Sequence, residues 1–330
     1  MDLKEEIKKL KNELDVTIVA HFYQKDEVFE MADITGDSLE LAKKAVAAPT
    51  ENIIFCGVGF MGQSVKVLAP NKRVFMPRIA CCAMAKMIDV DYYNMNLKIL
   101  NGAGISNDDI LPITYINSSA EVKAEVGKMG GYVCTSSNAF KIINKGLESG
   151  KKIFFVPDRC LGQNFAKQIG LKSAVVGVDD IEDVKEADII CFNGFCSVHQ
   201  LFTPEDVDFY KEKYPDILVA VHPECDPAVV DKADFVGSTS QLIKYITEDI
   251  SIDQKVVVGT EFNMVNRLRE KNTYVLSSTK PECPTMNETT LQDLYDTLLS
   301  LKKGTFVNEI NVDENVIKYA KVALQRMFEV

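Results

Sequence analysis

The residues of this chain best suited to chemistry are cysteines placed on turns. Cys283 lies in the stretch TKPECPTMNE, Thr279 to Glu288, between Pro281 and Pro284. Each proline biases the residue before it away from the helical region. The thiol is therefore expected on a stiff, non-helical turn just after the apolar run that begins at Tyr274. Cys82 and Cys196 also follow strand-like runs. The three are far apart in sequence, so they form no local zinc or ferredoxin pattern. They can serve one metal centre only if the fold brings them together. Cys56, Cys134 and Cys191 sit inside apolar strands and read as packing residues. Cys160, on a loop after a strand, is the strongest rival ligand. Cys81 beside Cys82 is ambiguous, and Cys225 is expected to be buried.

The chain has three histidines, His21, His199 and His222, all at strand ends or on the turns that follow. Glu224 stands two residues beyond His222, held by Pro223, in the position of a general base. Its alternative role is a helix cap or a surface carboxylate. Ser38, Ser136, Ser238 and Thr239 stand at helix openings. Such hydroxyls cap helices, and the same amides bind anions, so both readings stay open.

The elements that must position these residues follow a repeating pattern. An amphipathic helix over 2–15 carries Leu3, Ile7, Leu10 and Leu14 on one stripe, with Glu5 and Lys9 as a favourable pair. Apolar strands are expected near 17–20, 52–58 and 73–77, with helices after Gly36-Asp37-Ser38 and over 62–68. The pattern restarts with strands near 110–116, 131–135 and 152–157; Ser118 with Glu121 reads as a capping box. It restarts again with strands near 187–192, 217–221 and 255–260, and a final helix spans 316–328 with Ile317, Ala320, Leu324 and Met327 inward. Continuous apolar strands alternating with helices imply parallel sheets covered on both faces. Ligands bind such sheets at the carboxyl ends of the strands. His21, Tyr23, Tyr115, Asn117, Ser136, His199, His222 and Glu224 all fall there. The expected fold class is α/β: three pseudo-threefold-related, three-layer α/β domains with parallel sheets around a central cavity. The expected boundaries are 1–81, with 285–330 packing on it, 82–165, and 166–284.

Composition narrows the function. The chain has 330 residues, 46% hydrophobic and 26% charged, as a soluble globular protein would. Its charged opening, Met1-Asp-Leu-Lys-Glu-Glu, does not read as a signal peptide, and no run approaches membrane-spanning length. A cytoplasmic location with no membrane partner is expected, where nine cysteines are not a disulfide framework. A net charge of −11 argues against a nucleic-acid partner.

With these residues assembled, the sequence resembles the quinolinate synthase family, iron–sulfur enzymes of bacterial NAD biosynthesis. The segments that carry the resemblance are AHFYQ (20–24), GDSLELA (36–42), CAMA (82–85), TYINSSAEVKA (114–124), CTSSNA (134–139), GFCSVH (194–199), HPEC (222–225), GSTS (237–240), GTEFNMV (259–265) and TKPECPTMNETT (279–290). They span essentially the whole chain. The resemblance implies condensation of iminoaspartate with dihydroxyacetone phosphate to quinolinate, with loss of phosphate and water. It implies a [4Fe–4S] cluster on Cys82, Cys196 and Cys283 with one iron open as a Lewis acid. It assigns catalysis to Tyr23, Glu224, His21 and His199. It assigns substrate binding to His21, Ser38, Tyr115, Asn117, Ser136, His222, Ser238 and Thr239. An L-aspartate-oxidising enzyme is the implied source of iminoaspartate. Some relatives carry a C-x-x-C-x-x-C run at the third ligand; this chain has a single cysteine there, so no redox switch is implied. The alternatives are another three-cysteine [4Fe–4S] hydro-lyase acting on a small acid, and a non-catalytic iron–sulfur sensor.

Overall fold

The computed structural model describes residues 2–329. It is α/β, with three parallel sheets interleaved with helices. The first sheet comprises β1 (Val16–His21), β2 (Ile34–Gly36), β3 (Asn52–Cys56) and β4 (Arg73–Phe75), in the order β2-β1-β3-β4. The second comprises β5 (Ile110–Tyr115), β6 (Tyr132–Cys134), β7 (Lys152–Val156), β8 (Ser173–Val175) and β9 (Ile189–Cys191), in the order β6-β5-β7-β9-β8. The third comprises β10 (Leu218–Val221), β11 (Phe235–Val236), β12 (Val256–Gly259) and β13 (Thr273–Val275), in the order β11-β10-β12-β13. All strand pairs are parallel. Each sheet has its first strand in the middle, flanked by its second and third. The three units therefore share one winding.

Burial explains why these runs become strands. β1 and β5 are buried at every residue, as strands covered by helices on both faces must be. The first sheet packs one face on the helices Leu3–Leu14 and Leu291–Lys302, through Ile7, Leu10, Leu294 and Leu298. Its other face joins the second sheet in one continuous core. The third sheet has a separate core on each face.

Four readings change. The strand near 187–192 does not open the third unit: β9 pairs with β7 and β8, so the second sheet runs on to Cys191, past residue 165. The C-terminal segment divides its packing. Helix Leu291–Lys302 lies on the first unit, whereas helix Glu314–Arg326 packs chiefly on helix Ala120–Lys128 of the second. There a Cβ on Gly127 would meet the Tyr319 carbonyl oxygen at 2.1 Å, so glycine is what lets the two backbones approach. Ser119, not Ser118, caps helix Ala120–Lys128, accepting from the Val122 amide. Ser118 is buried and donates to the Tyr115 carbonyl instead. Glu5 pairs with Lys8, one residue short of the expected partner. Among the described residues, no helix is long and apolar enough to cross a membrane.

Candidate active site

The shared winding places equivalent residues at equivalent points. The first strands of the three sheets end at His21, Tyr115 and, one residue beyond β10, His222. Just after the second strands come Ser38, Ser136 and Thr239. Beyond the last strand in chain order of each sheet come Cys82, Cys196 and Cys283. All nine line one cavity, together with Tyr23, Asn117, His199 and Glu224. Of the sequence-predicted residues, Ser238 alone does not line it. Its hydroxyl accepts from the Gln241 amide and caps helix Thr239–Lys244, so its local role is the cap.

The other helix openings depart from the capping reading. Asp37 caps helix Ser38–Ala47, accepting from the Leu39 and Glu40 amides, and leaves Ser38 as the first helical residue. Helix Ala139–Leu147 begins three residues beyond Ser136, whose hydroxyl lies 3.2 Å from His222 Nε2. Asp37 was not singled out from sequence as a cavity residue, because a carboxylate at a helix opening is already accounted for by capping. Its Oδ2 also accepts from Ser137 of the second unit and Ser240 of the third, both at 2.8 Å. One carboxylate thus ties together three turns that the sequence separates widely.

Glu224 is the centre of the polar network. It is 4% exposed. Tyr115 donates its hydroxyl to Oε1 at 2.5 Å, and His199 Nδ1 lies 3.1 Å from Oε2 without a linear alignment. Burial alone would push this carboxyl up, but the adjoining His199 and His222 rings and the Tyr115 hydroxyl outweigh it and hold the group at about 2. The Tyr115 bond is the part of that stabilisation that persists with neutral rings. His199 stacks on His222 at 4.6 Å, and its Nε2 lies 3.1 Å from Thr260 Oγ1. Thr260 Oγ1 is also 2.9 Å from the Tyr23 hydroxyl, which lies 2.9 Å from Thr239 Oγ1. Burial and the Glu224 charge raise Tyr23 well above its usual range, so it stays protonated. Thr260 was not singled out from sequence, because a threonine ending a strand carries no signal of its own.

Two of the three histidines are held in one tautomer by backbone amides. Tyr23 N donates to His21 Nδ1 at 3.1 Å, and Glu224 N donates to His222 Nδ1 at 3.3 Å. Each ring therefore presents Nε2–H as a donor. Burial pulls His21 down to about 4 and His222 to about 3, only partly offset by Asp37 and Glu224. An unfolded histidine binds its proton near pH 6.5, so between pH 6.5 and 4 these two positions hold more protons in the unfolded chain than in the folded one. These two rings therefore weaken the metal-free fold as pH drops through that window, while Glu261, pushed up to about 8 by burial, and Asp158, raised well above its usual range by burial, act in the opposite direction. Each ring contributes at most about 1.4 kcal/mol per pH unit. In denaturant titrations His222→Gln should therefore lose less stability than the parent between pH 6.5 and 4. Equal slopes would mean that His222 charges freely in the fold.

The three thiols are half-buried and enter the cavity from three loops. Burial pushes Cys82 up to about 12, raises Cys196 well above the usual thiol range and raises Cys283. Backbone amides oppose this at every sulfur: Ala85 and Met84 at Cys82, His199 at Cys196, Met286 and Thr285 at Cys283. The Cys283 turn is anchored as the prolines suggested. Pro281 is buried and its carbonyl accepts from Phe262, while the Cys283 amide donates to Glu261 at 3.2 Å. The rival cysteines lie elsewhere. Cys160 is not on a loop but in helix Arg159–Gln168, buried, with Gln200 donating to its sulfur. Cys225 is buried and donates to the Gly259 carbonyl. Cys56, Cys134 and Cys191 are fully buried in the core. Cys81 is exposed and faces a different cavity, whose wall it shares with Cys82. One further donor set exists: single ligand atoms of Cys196, His199 and Glu224 lie within 4.8 Å of one another and could hold a metal ion.

Known proteins resemble this sequence along nearly its whole length. A family model described as Quinolinate synthetase A protein matches residues 5–329. The chain belongs to the quinolinate synthase family. It is accordingly an enzyme of that type. A quinolinate synthase of Helicobacter pylori (strain HPAG1) is 55% identical, covering 99% of this chain and 98% of its own. Those of Streptomyces coelicolor and Geobacillus sp. (strain WCH70) are 41% and 40% identical, each over 94% of this chain, covering 84% and 88% of their own. The family resemblance read from TKPECPTMNETT, HPEC and GFCSVH thus holds over the full cavity-forming fold.

Proposed function

We propose that this chain condenses iminoaspartate with dihydroxyacetone phosphate to give quinolinate, phosphate and water, as a step of NAD biosynthesis in the cytoplasm. The observation that carries the reading is the convergence of three thiols, three histidines and Glu224 on one cavity without a lining lysine or arginine. The donor set fits a [4Fe–4S] cluster: three soft sulfurs from three loops, each met by backbone N–H groups that favour the thiolate. Cys82, Cys196 and Cys283 would hold it. Bound there, the cluster would supply a Lewis-acidic iron that eases loss of hydroxide from substrate.

The chain's own groups do the rest. Glu224, ionised and flanked by His199, is the base that takes a proton from carbon or nitrogen. Tyr23, protonated, is a hydroxyl donor for a leaving or developing oxygen anion, while Tyr115, protonated as well, lines the substrate cavity and donates its hydrogen bond to Glu224. His21 and His222 present neutral Nε2–H donors to substrate carboxylates. Ser38, Asn117, Ser136 and Thr239 add uncharged donors for carboxylate or phosphate, with Ser238 serving through its cap on the Thr239 helix. Ser136→Ala should weaken quinolinate binding several-fold with little change in thermal stability, because Ser136 caps no helix. Isothermal titration beside a melting curve checks this; unchanged affinity would remove Ser136 from the site.

Iminoaspartate would come from an L-aspartate-oxidising enzyme. The reading is tested by supplying iminoaspartate generated in place together with dihydroxyacetone phosphate to anaerobically purified protein. Quinolinate should form; an iron–sulfur protein that forms none would favour a hydro-lyase for another small acid, or a sensor. The Cys196–His199–Glu224 set favours a second reading, a mononuclear metal site. That site would bind iron or zinc without acid-labile sulfide.

A further inference from the structure

Lys123 is fully buried in helix Ala120–Lys128, and the catalytic reading gives it no task. A buried ammonium is costly unless a negative charge and hydrogen bonds compensate it. The hydrogen bonds are present: Nζ donates to the Ile116 carbonyl at 2.8 Å and to the Ser118 carbonyl. The charge is not, since Lys123 forms no ion pair among the described residues; Glu121 acts on it only from a distance. Burial pulls the amine down to about 7, with Glu121 and Cys82 the groups that draw it back up.

Its surroundings point to the missing counter-charge. Nζ lies 5.4 Å from the centroid of Phe60, which lines the central cavity beside Cys82. The carbonyls it holds flank Asn117, so the same amine braces the turn that carries Tyr115 and Asn117 into the cavity. Three thiolates in this cavity would be a concentration of negative charge, and the lining offers no cationic side chain to offset it. A cation placed behind Phe60 in the cavity wall can do so without contacting substrate.

We infer that Lys123 is the buried counter-charge of the thiolate set, a positioning residue that tunes the electrostatics of the group bound by Cys82, Cys196 and Cys283. This rests on the cluster reading above. Removing a nearby positive charge disfavours added electrons, so the reduction potential should become more negative. In the metal-free chain the same charge lacks an anionic partner, so its removal should not destabilise the fold.

The test compares the parent with Lys123→Gln and Lys123→Arg, all purified without oxygen. Iron and sulfide are counted, the midpoint potential is read by spectroelectrochemistry, and melting is measured on metal-free samples. K123Q should fold when metal-free, shift the potential negative or fail to retain the cluster, and K123R should restore the parent's behaviour. Three results would overturn the inference: a K123Q potential equal to the parent's, a K123R potential displaced as far as that of K123Q, or metal-free K123Q that fails to fold where K123R succeeds. The last would reduce Lys123 to a support for two carbonyls. A parent protein that binds no iron and sulfide would instead remove the cluster reading itself.

Discussion

Alanine at Cys82, Cys196 or Cys283 should each strip the protein of most of its iron and sulfide and abolish quinolinate formation. Each thiol enters the cavity from a different loop, after the last strand of a different sheet. Loss of one leaves no other thiol in the cavity lining to replace it: Cys160 and Cys225 are buried outside that lining, and Cys81 faces a different cavity. Thiolate ligation is coupled to deprotonation and to folding of the site, so the loss should be close to complete. Alanine at Cys56, Cys134 or Cys191 removes a small apolar group from the core and should cost about 1–2 kcal/mol while leaving the metal content intact. Alanine at Cys81, Cys160 or Cys225 should also leave it intact. Iron and sulfide content across the nine single variants checks the whole assignment. A cluster that survives Cys283→Ala but is lost in Cys160→Ala would overturn it.

Glu224→Gln should lower turnover by about 10²–10⁴-fold while the cluster remains. The substitution keeps size and lets Tyr115 still donate to the side-chain oxygen, so the network around it should hold. It removes the one ionised group that adjoins both His199 and His222. Tyr23→Phe should act in the same direction, since only a hydroxyl shared with Thr239 and Thr260 is lost. The loss should appear in kcat rather than in quinolinate affinity. Near-parental kcat in Glu224→Gln would remove it as the base and leave His199 as the remaining candidate.

Much of this was legible because parallel α/β units write themselves plainly. Fully buried strands such as Val16–His21 and Ile110–Tyr115 are continuous apolar runs, and the residues that end them are polar. Prolines at 281 and 284 marked the Cys283 turn, and His222-Pro-Glu224 marked the base. What escaped depended on pairing across long distances. Ile189–Cys191 looks like the start of a new unit because nothing in its sequence says that it pairs with β7 and β8. Helix starts slipped by one to three residues at Ser118 and Ser136, since several polar residues in a row can each serve as a cap. Asp37 reads only as part of a helix opening, and Lys123 carries no signal of its own in the sequence. Only the fold shows that one joins three units and the other is sealed from water.

The central claim joins turnover to an oxygen-sensitive cluster held by three thiols. One anaerobic preparation is enough to test it, with iron, acid-labile sulfide and quinolinate formation followed together as air is admitted. An iron lacking a protein thiolate is open to oxidants, so the three quantities should fall in step. Full quinolinate formation by an air-bleached, iron-free sample would contradict the account.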